Sequence, residues 1–204
     1  MRLSVMFAGA LSTGLVALST IAMAEYNPGV QIRYDAMGNA VEGPGITSPN
    51  GNGSPAYTPI PREVVTMDGK YGKGTIIINT AERRLYLALG DGKALRYGIG
   101  VGRPGFTWVG VHSVTQKAEW PGWTPPPQMR KRVPDLPAYM PGGPDNPLGA
   151  RAMYLGSTYY RIHGSNEPWS IGQAVSSGCF RMTNDDVTDL YERVSVGAKV
   201  VVIN

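Results

Sequence analysis

The 204-residue chain contains one cysteine and two histidines, so its options for thiol chemistry are few. Cys179 follows Ser176-Ser177-Gly178 and precedes Phe180-Arg181-Met182. His163 stands 179 − 163 = 16 residues earlier, in Ile162-His163-Gly164. A thiol is mostly protonated at neutral pH and attacks well only when a base or nearby positive charge favours the thiolate. Three such influences lie within reach of Cys179: the imidazole of His163, the cation Arg181, and the N-terminus of a helix opening near Thr183. Gly178 permits a tight turn that would aim the amide N–H groups of Gly178 and Cys179 at a developing oxyanion. The residue types alone leave other readings open. Cys179 could be an inert buried thiol, His163 a structural imidazole, and Arg181 a solvated charge. Ser177 is either a turn residue or a hydrogen-bond partner of the site. His112 has no motif around it and reads as structural.

Bringing His163 to Cys179 requires a strand, a returning loop and a helix start. Tyr159 to Ile162 reads as a strand ending at the histidine, and Ser165 to Gly172 reads as loop. Thr183-Asn184-Asp185-Asp186 matches a helix-capping pattern with acids in the first turn. Val187, Leu190, Tyr191 and Val194 then recur on one helical face, and Gly197 lies just past the end. Upstream, the β-branched run Thr75 to Ile78, the segment Leu85 to Leu89, the turn Gly90-Asp91-Gly92 and Ala94 to Val101 predict a hairpin series. Val109 to Lys117 and Lys199 to Ile203 are further strand candidates. The sum is a mainly β domain with one good helix. The Pro- and Gly-rich stretch Glu119 to Leu148 reads as a long loop, with Trp120 and Trp123 either lining a groove or plugging the core.

The flanking regions read differently. Arg2, an uncharged apolar run to Ala22, and Ala22-Met23-Ala24 before Glu25 match a cleavable signal peptide at 1–24. Residues 25–71 alternate glycines and prolines with few large apolar side chains, which predicts a flexible tether. The folded domain is placed at 72–204. Without the leader, 18 Lys+Arg face 15 Asp+Glu, too mild an excess to argue for nucleic acid. Export places the chain in an oxidising compartment, the periplasm, where a single cysteine has no internal partner.

The run from His163-Gly164 through Ser176-Ser177-Gly178-Cys179-Phe180-Arg181 resembles the catalytic signature of the L,D-transpeptidase (YkuD) family: His-Gly, a spacer of similar length, Ser/Thr-x-Gly-Cys and a nearby Arg. Lys73 to Thr80, Lys117 to Pro121 and Gly142 to Arg151 are similar to one bacterial branch of it, so the resemblance covers about residue 72 onward. It implies a β-sandwich-like domain without metal or cofactor. It also implies attack by the thiolate on a peptidoglycan tetrapeptide stem, loss of the terminal D-alanine, and transfer to an amine of a second stem or of a wall-attached protein. Cys179 would then be the nucleophile and His163 the base, oriented by the carbonyl of Gly164 or a neighbour. Gly178 and Cys179 would supply the oxyanion site, and Arg181 would meet a substrate carboxylate. Many members carry His where Ser177 stands, which removes a second imidazole from the site. Hydrolysis of the same acyl-enzyme, as a carboxypeptidase or endopeptidase, and a non-catalytic wall-binding module are the competing readings. The acceptor and the oligomeric state are not legible.

Overall fold

The computed structural model describes residues 60–204, together with short strands at 33–34 and 40–41. The signal-peptide expectation and most of the tether lie outside the described residues. Strands β1 (Arg33–Tyr34) and β2 (Ala40–Val41) pair antiparallel. From residue 60 onward the chain forms β3 (Glu63–Thr66), β4 (Ile76–Asn79), β5 (Arg84–Gly90), β6 (Lys93–Gly98), β7 (Val101–Gly102), β8 (Gly110–Glu119), α1 (Pro127–Arg132), β9 (Arg151–Leu155), β10 (Arg161–His163), β11 (Ala174–Ser176), β12 (Phe180–Arg181), α2 (Asn184–Arg193) and β13 (Lys199–Ile203). Nine strands form one sheet in the order β12-β10-β9-β8-β13-β4-β5-β6-β3, and β7 and β11 pair separately. β3 falls inside the stretch assigned to the tether, where it pairs with β6 at the sheet edge; the ordered domain therefore begins before residue 72.

The sheet turns a corner at β8. Gly110 to Ser113 of this strand pair with β13, and Val114 to Glu119 pair with β9, with a register shift between Val114 and Gln116. A bulge of this kind bends a strand and raises its twist, which lets one sheet face itself as a sandwich. One core results, to which both halves contribute: Ile76, Leu85 and Tyr97 from one, Met153, Ile162 and Phe180 from the other. Each fully buried aliphatic side chain stabilises this arrangement by about 1.5–3 kcal/mol. The β5–β6 turn needs positive φ at Gly90, Asp91 and Gly92, at 92°, 51° and 66°. Two glycines and an aspartate accept that conformation cheaply.

Helix α2 packs Val187 and Leu190 into this core. Its N-cap Thr183 accepts the Asp186 amide at 3.1 Å. At its C-terminal end Lys117 of β8 donates to the carbonyls of Tyr191 and Val194, both at 2.6 Å, which places a cation on the negative pole of the helix. The stretch between β8 and β9 is more ordered than a long loop. Trp123, Met129, Leu136 and Leu148 are buried together in a second small cluster, so Trp123 fills a core of its own, while Trp120 is 44% exposed. α1 begins on Pro127, which its first turn tolerates because that amide has no helical acceptor.

Candidate active site

β10 and β12 run parallel, with Ile162 opposite Phe180 and His163 opposite Arg181. Side chains alternate along a strand, so Ile162 and Phe180 enter the core while His163 and Arg181 share the other face. Cys179 sits one residue ahead of β12, on the side of Arg181. Segment 164–178 crosses over this face, through a 3-10 turn at Pro168–Ser170 and β11, and converts it into interior: His163, Cys179 and Arg181 are all at most 1% exposed. The chain register thus brings together the two residues that spacing singled out, beneath a cover.

His163 Nδ1 lies 2.6 Å from the Gly164 carbonyl. A carbonyl only accepts, so Nδ1 carries the proton and Nε2 carries the lone pair. Nε2 is buried and has no hydrogen-bond partner. Burial, and then the nearby Arg181 charge, push the imidazole from its usual value near 6.5 down to about 3, so it rests neutral. Cys179 Sγ is 3.7 Å from the Tyr159 carbonyl, toward which the thiol points as a weak donor. Burial raises its pKa, and the charges of Arg161 and Arg181 offset only part of that rise. Burial of both groups thus works against a thiol activated in advance by His163, Arg181 and the helix. The resting pair is a neutral thiol and a neutral imidazole, because desolvation disfavours every charged form here. Helix α2 starts at Asn184, five residues beyond the sulfur, and Thr183 caps its Asp186 amide.

Gly178 adopts φ 112°, and a Cβ there would come within 2.5 Å of Tyr160. Its amide donates to Ser176 Oγ at 3.2 Å, so of the two expected oxyanion donors this one is engaged within its own turn. Its carbonyl accepts the Trp108 indole N–H at 2.9 Å, and Trp108 stacks on Tyr160 at 4.6 Å. Because a peptide is planar and trans, fixing that carbonyl on Trp108 turns the Cys179 N–H the opposite way. Ser177 is buried on the approach to this turn, and Ser176 Oγ also donates to the Cys179 carbonyl at 2.6 Å.

Arg181 departs from its expected place at a substrate carboxylate. Its guanidinium meets Glu167 at 3.0 Å with both side chains 1% exposed, so its charge is balanced inside the protein. The arginine that borders the sulfur and stays partly exposed is Arg161, first residue of β10. Trp108, Glu167 and Arg161 carried no signal in the sequence beyond ordinary residue types; their roles follow from register and loop packing. His112, on β8, packs edge-on against Trp108 at 5.2 Å. Among the described residues no group of three His, Cys, Asp or Glu side chains is gathered for a metal ion.

The profile of the L,D-transpeptidase catalytic domain (YkuD) matches residues 73–202. The chain is 42% identical over 154 residues to "Probable L,D-transpeptidase ErfK/SrfK" of Escherichia coli, covering 71% of this chain and 48% of that protein. It is 39% identical over 154 residues to "Probable L,D-transpeptidase YbiS" of Escherichia coli, covering 71% and 49%. The chain spans about half the length of the curated relatives it matches. In fold it is similar to L,D-transpeptidase 3 of Mycobacterium tuberculosis, with TM-score 0.50 at 18% identity over 64% of this chain and 60% of that one. It is also similar to a mutant of an Enterococcus faecium L,D-transpeptidase, with TM-score 0.51 at 20% identity over 65% and 50%. With that profile spanning most of the described β domain and both halves of the His163–Cys179 signature, the chain belongs to the YkuD L,D-transpeptidase catalytic domain family.

Proposed function

We propose that the chain is an exported acyltransferase that acts on the tetrapeptide stems of peptidoglycan through a Cys179 thioester. One observation carries the assignment of roles. The Gly164 carbonyl fixes the His163 tautomer and leaves Nε2 as a bare base on the face that holds Cys179. As Sγ attacks the carbonyl carbon before the terminal D-alanine, its proton passes to Nε2. The S–C bond forms, and the carbonyl oxygen takes the charge beside the Cys179 amide. The C–N bond then breaks, and the D-alanine amine departs with the proton from the imidazolium. An amine of a second stem, or of a wall-attached protein, attacks the thioester and returns its proton through Nε2 to the sulfur. Because the sulfur is fully buried, stem entry requires the Gly156–Tyr160 loop, whose Tyr159 carbonyl faces Sγ, to shift. Segment 1–24 serves export, and the Pro- and Gly-rich stretch behind it links that signal to the folded domain.

The test is intact-mass detection of a covalent adduct after exposure to a carbapenem, followed by product analysis with purified tetrapeptide muropeptides. An adduct on the native protein that is absent from Cys179→Ala supports the nucleophile; an adduct of equal yield on Cys179→Ala removes it. Cross-linked dimers with free D-alanine support transfer, whereas tripeptide acid alone reassigns the same thioester to hydrolysis.

A further inference from the structure

Register sets two rows of side chains across β9, β10 and β12 on the face of the active site. One row runs Ala152, His163, Arg181. The next runs Tyr154, Arg161 and then Cys179, one position ahead of the Ile162–Phe180 pair. Arg161 therefore stands between an aromatic ring and the sulfur. Its guanidinium lies over the Tyr154 ring, 5.1 Å from the centroid, a contact made through the face of the plane rather than its N–H edges. Its Nε is buried without a hydrogen-bond partner, yet the residue as a whole remains partly exposed. Arg181, the other cation at the site, is sealed against Glu167.

A group leaving from the attacked carbonyl carries its own carboxylate about one residue length away, roughly 3.8 Å. A guanidinium bordering the sulfur is within that reach, and its fork matches a carboxylate in geometry. Resting on the acyl-transfer reading above, we propose that Arg161 binds the α-carboxylate of the departing residue, and so selects stems that end one residue past the cleaved bond.

The experiment compares two donors, a tetrapeptide stem with a free terminal carboxylate and the same stem as its C-terminal amide. The acylation rate of Cys179 is followed by intact mass at several donor concentrations. The native protein should prefer the free acid by roughly ten- to a hundredfold in kcat/KM, the range for one charge-assisted contact. Arg161→Gln should react with both donors alike, and Arg161→Lys should recover part of the preference. Equal rates on the native protein would overturn the proposal, and this arm needs no variant to fold. A preference that survives in Arg161→Gln would overturn it too, as would equal slowing of both donors, which would place the charge on the sulfur instead. If neither donor acylates the native protein, the acyl-transfer reading fails and the subsite with it; equal acylation of both donors by the native protein removes the subsite alone.

Discussion

The two ends of the nine-stranded sheet treat polar side chains in opposite ways. At the β3–β6–β5 end, Arg96 pairs with Glu63 and the Tyr86 hydroxyl donates to Glu82 at 2.5 Å, all in contact with solvent. At the β9–β10–β12 end the outer face is roofed by segment 164–178. Among the described residues, seven of the eleven buried polar side chains lie between His163 and Arg181: His163, Ser165, Glu167, Ser170, Ser176, Ser177 and Arg181. Burying polar and charged groups costs stability unless each is partnered, and an apolar filling would serve the fold at least as well. The difference teaches that the roofed end is organised for chemistry.

The contrast breaks most completely at the proposed reacting pair. Cys179→Ala should abolish acyl-enzyme formation. His163→Ala should slow it by roughly a thousandfold or more, measured by intact mass and by D-alanine release. Next in size is the buried ion pair. Glu167→Ala leaves Arg181 charged and uncompensated in the interior, and should cost about 3–5 kcal/mol in denaturant unfolding. Glu63→Ala at the other end should leave the unfolding midpoint nearly unchanged, since that pair is exposed and screened.

Acid titration sharpens the comparison further. Folded His163 takes up its proton only near pH 3, whereas the unfolded chain takes it up near 6.5. Between these values the unfolded state holds more protons, so this contribution to stability is complete above pH 6.5 and is lost as pH falls toward 3. The unfolding free energy of His163→Gln should fall less steeply across that window than that of the native protein. Among the site residues the smallest effect is expected at Trp108. Trp108→Phe keeps a ring against Tyr160 but removes the donor to the Gly178 carbonyl, and should slow acylation by about tenfold with little change in thermal stability.

Strong local patterns were legible in the sequence. The β-branched run of β4, the Gly90–Gly92 turn, β13 and the Thr183-capped α2 each declare themselves over a few residues, because period and turn chemistry are local properties. β3 was hidden because it follows a Pro- and Gly-rich stretch and is stabilised by an edge pairing with β6. α1 was hidden among prolines, one of which a first helical turn accepts. His163 and Cys179 could be named because their types are rare in this chain and their flanks resemble a known signature. Glu167, Trp108 and Arg161 could not. Their roles depend on which residues face each other between β10 and β12 and on how 164–178 folds back, and spacing alone encodes neither. The same register sets Arg181, chosen for its nearness in sequence, beside His163 and against Glu167, while Arg161, eighteen residues before the cysteine, stands next to the sulfur.

Peroxides and small disulfides consume a cysteine chiefly as its accessible anion, carrying it to sulfenic acid or a mixed disulfide. At rest Cys179 offers these reagents neither charge nor access, held as a covered thiol against the Tyr159 carbonyl. In its proposed role as nucleophile, a thiol stored in this form would survive oxidants between turnovers and be perishable only while the site stands open.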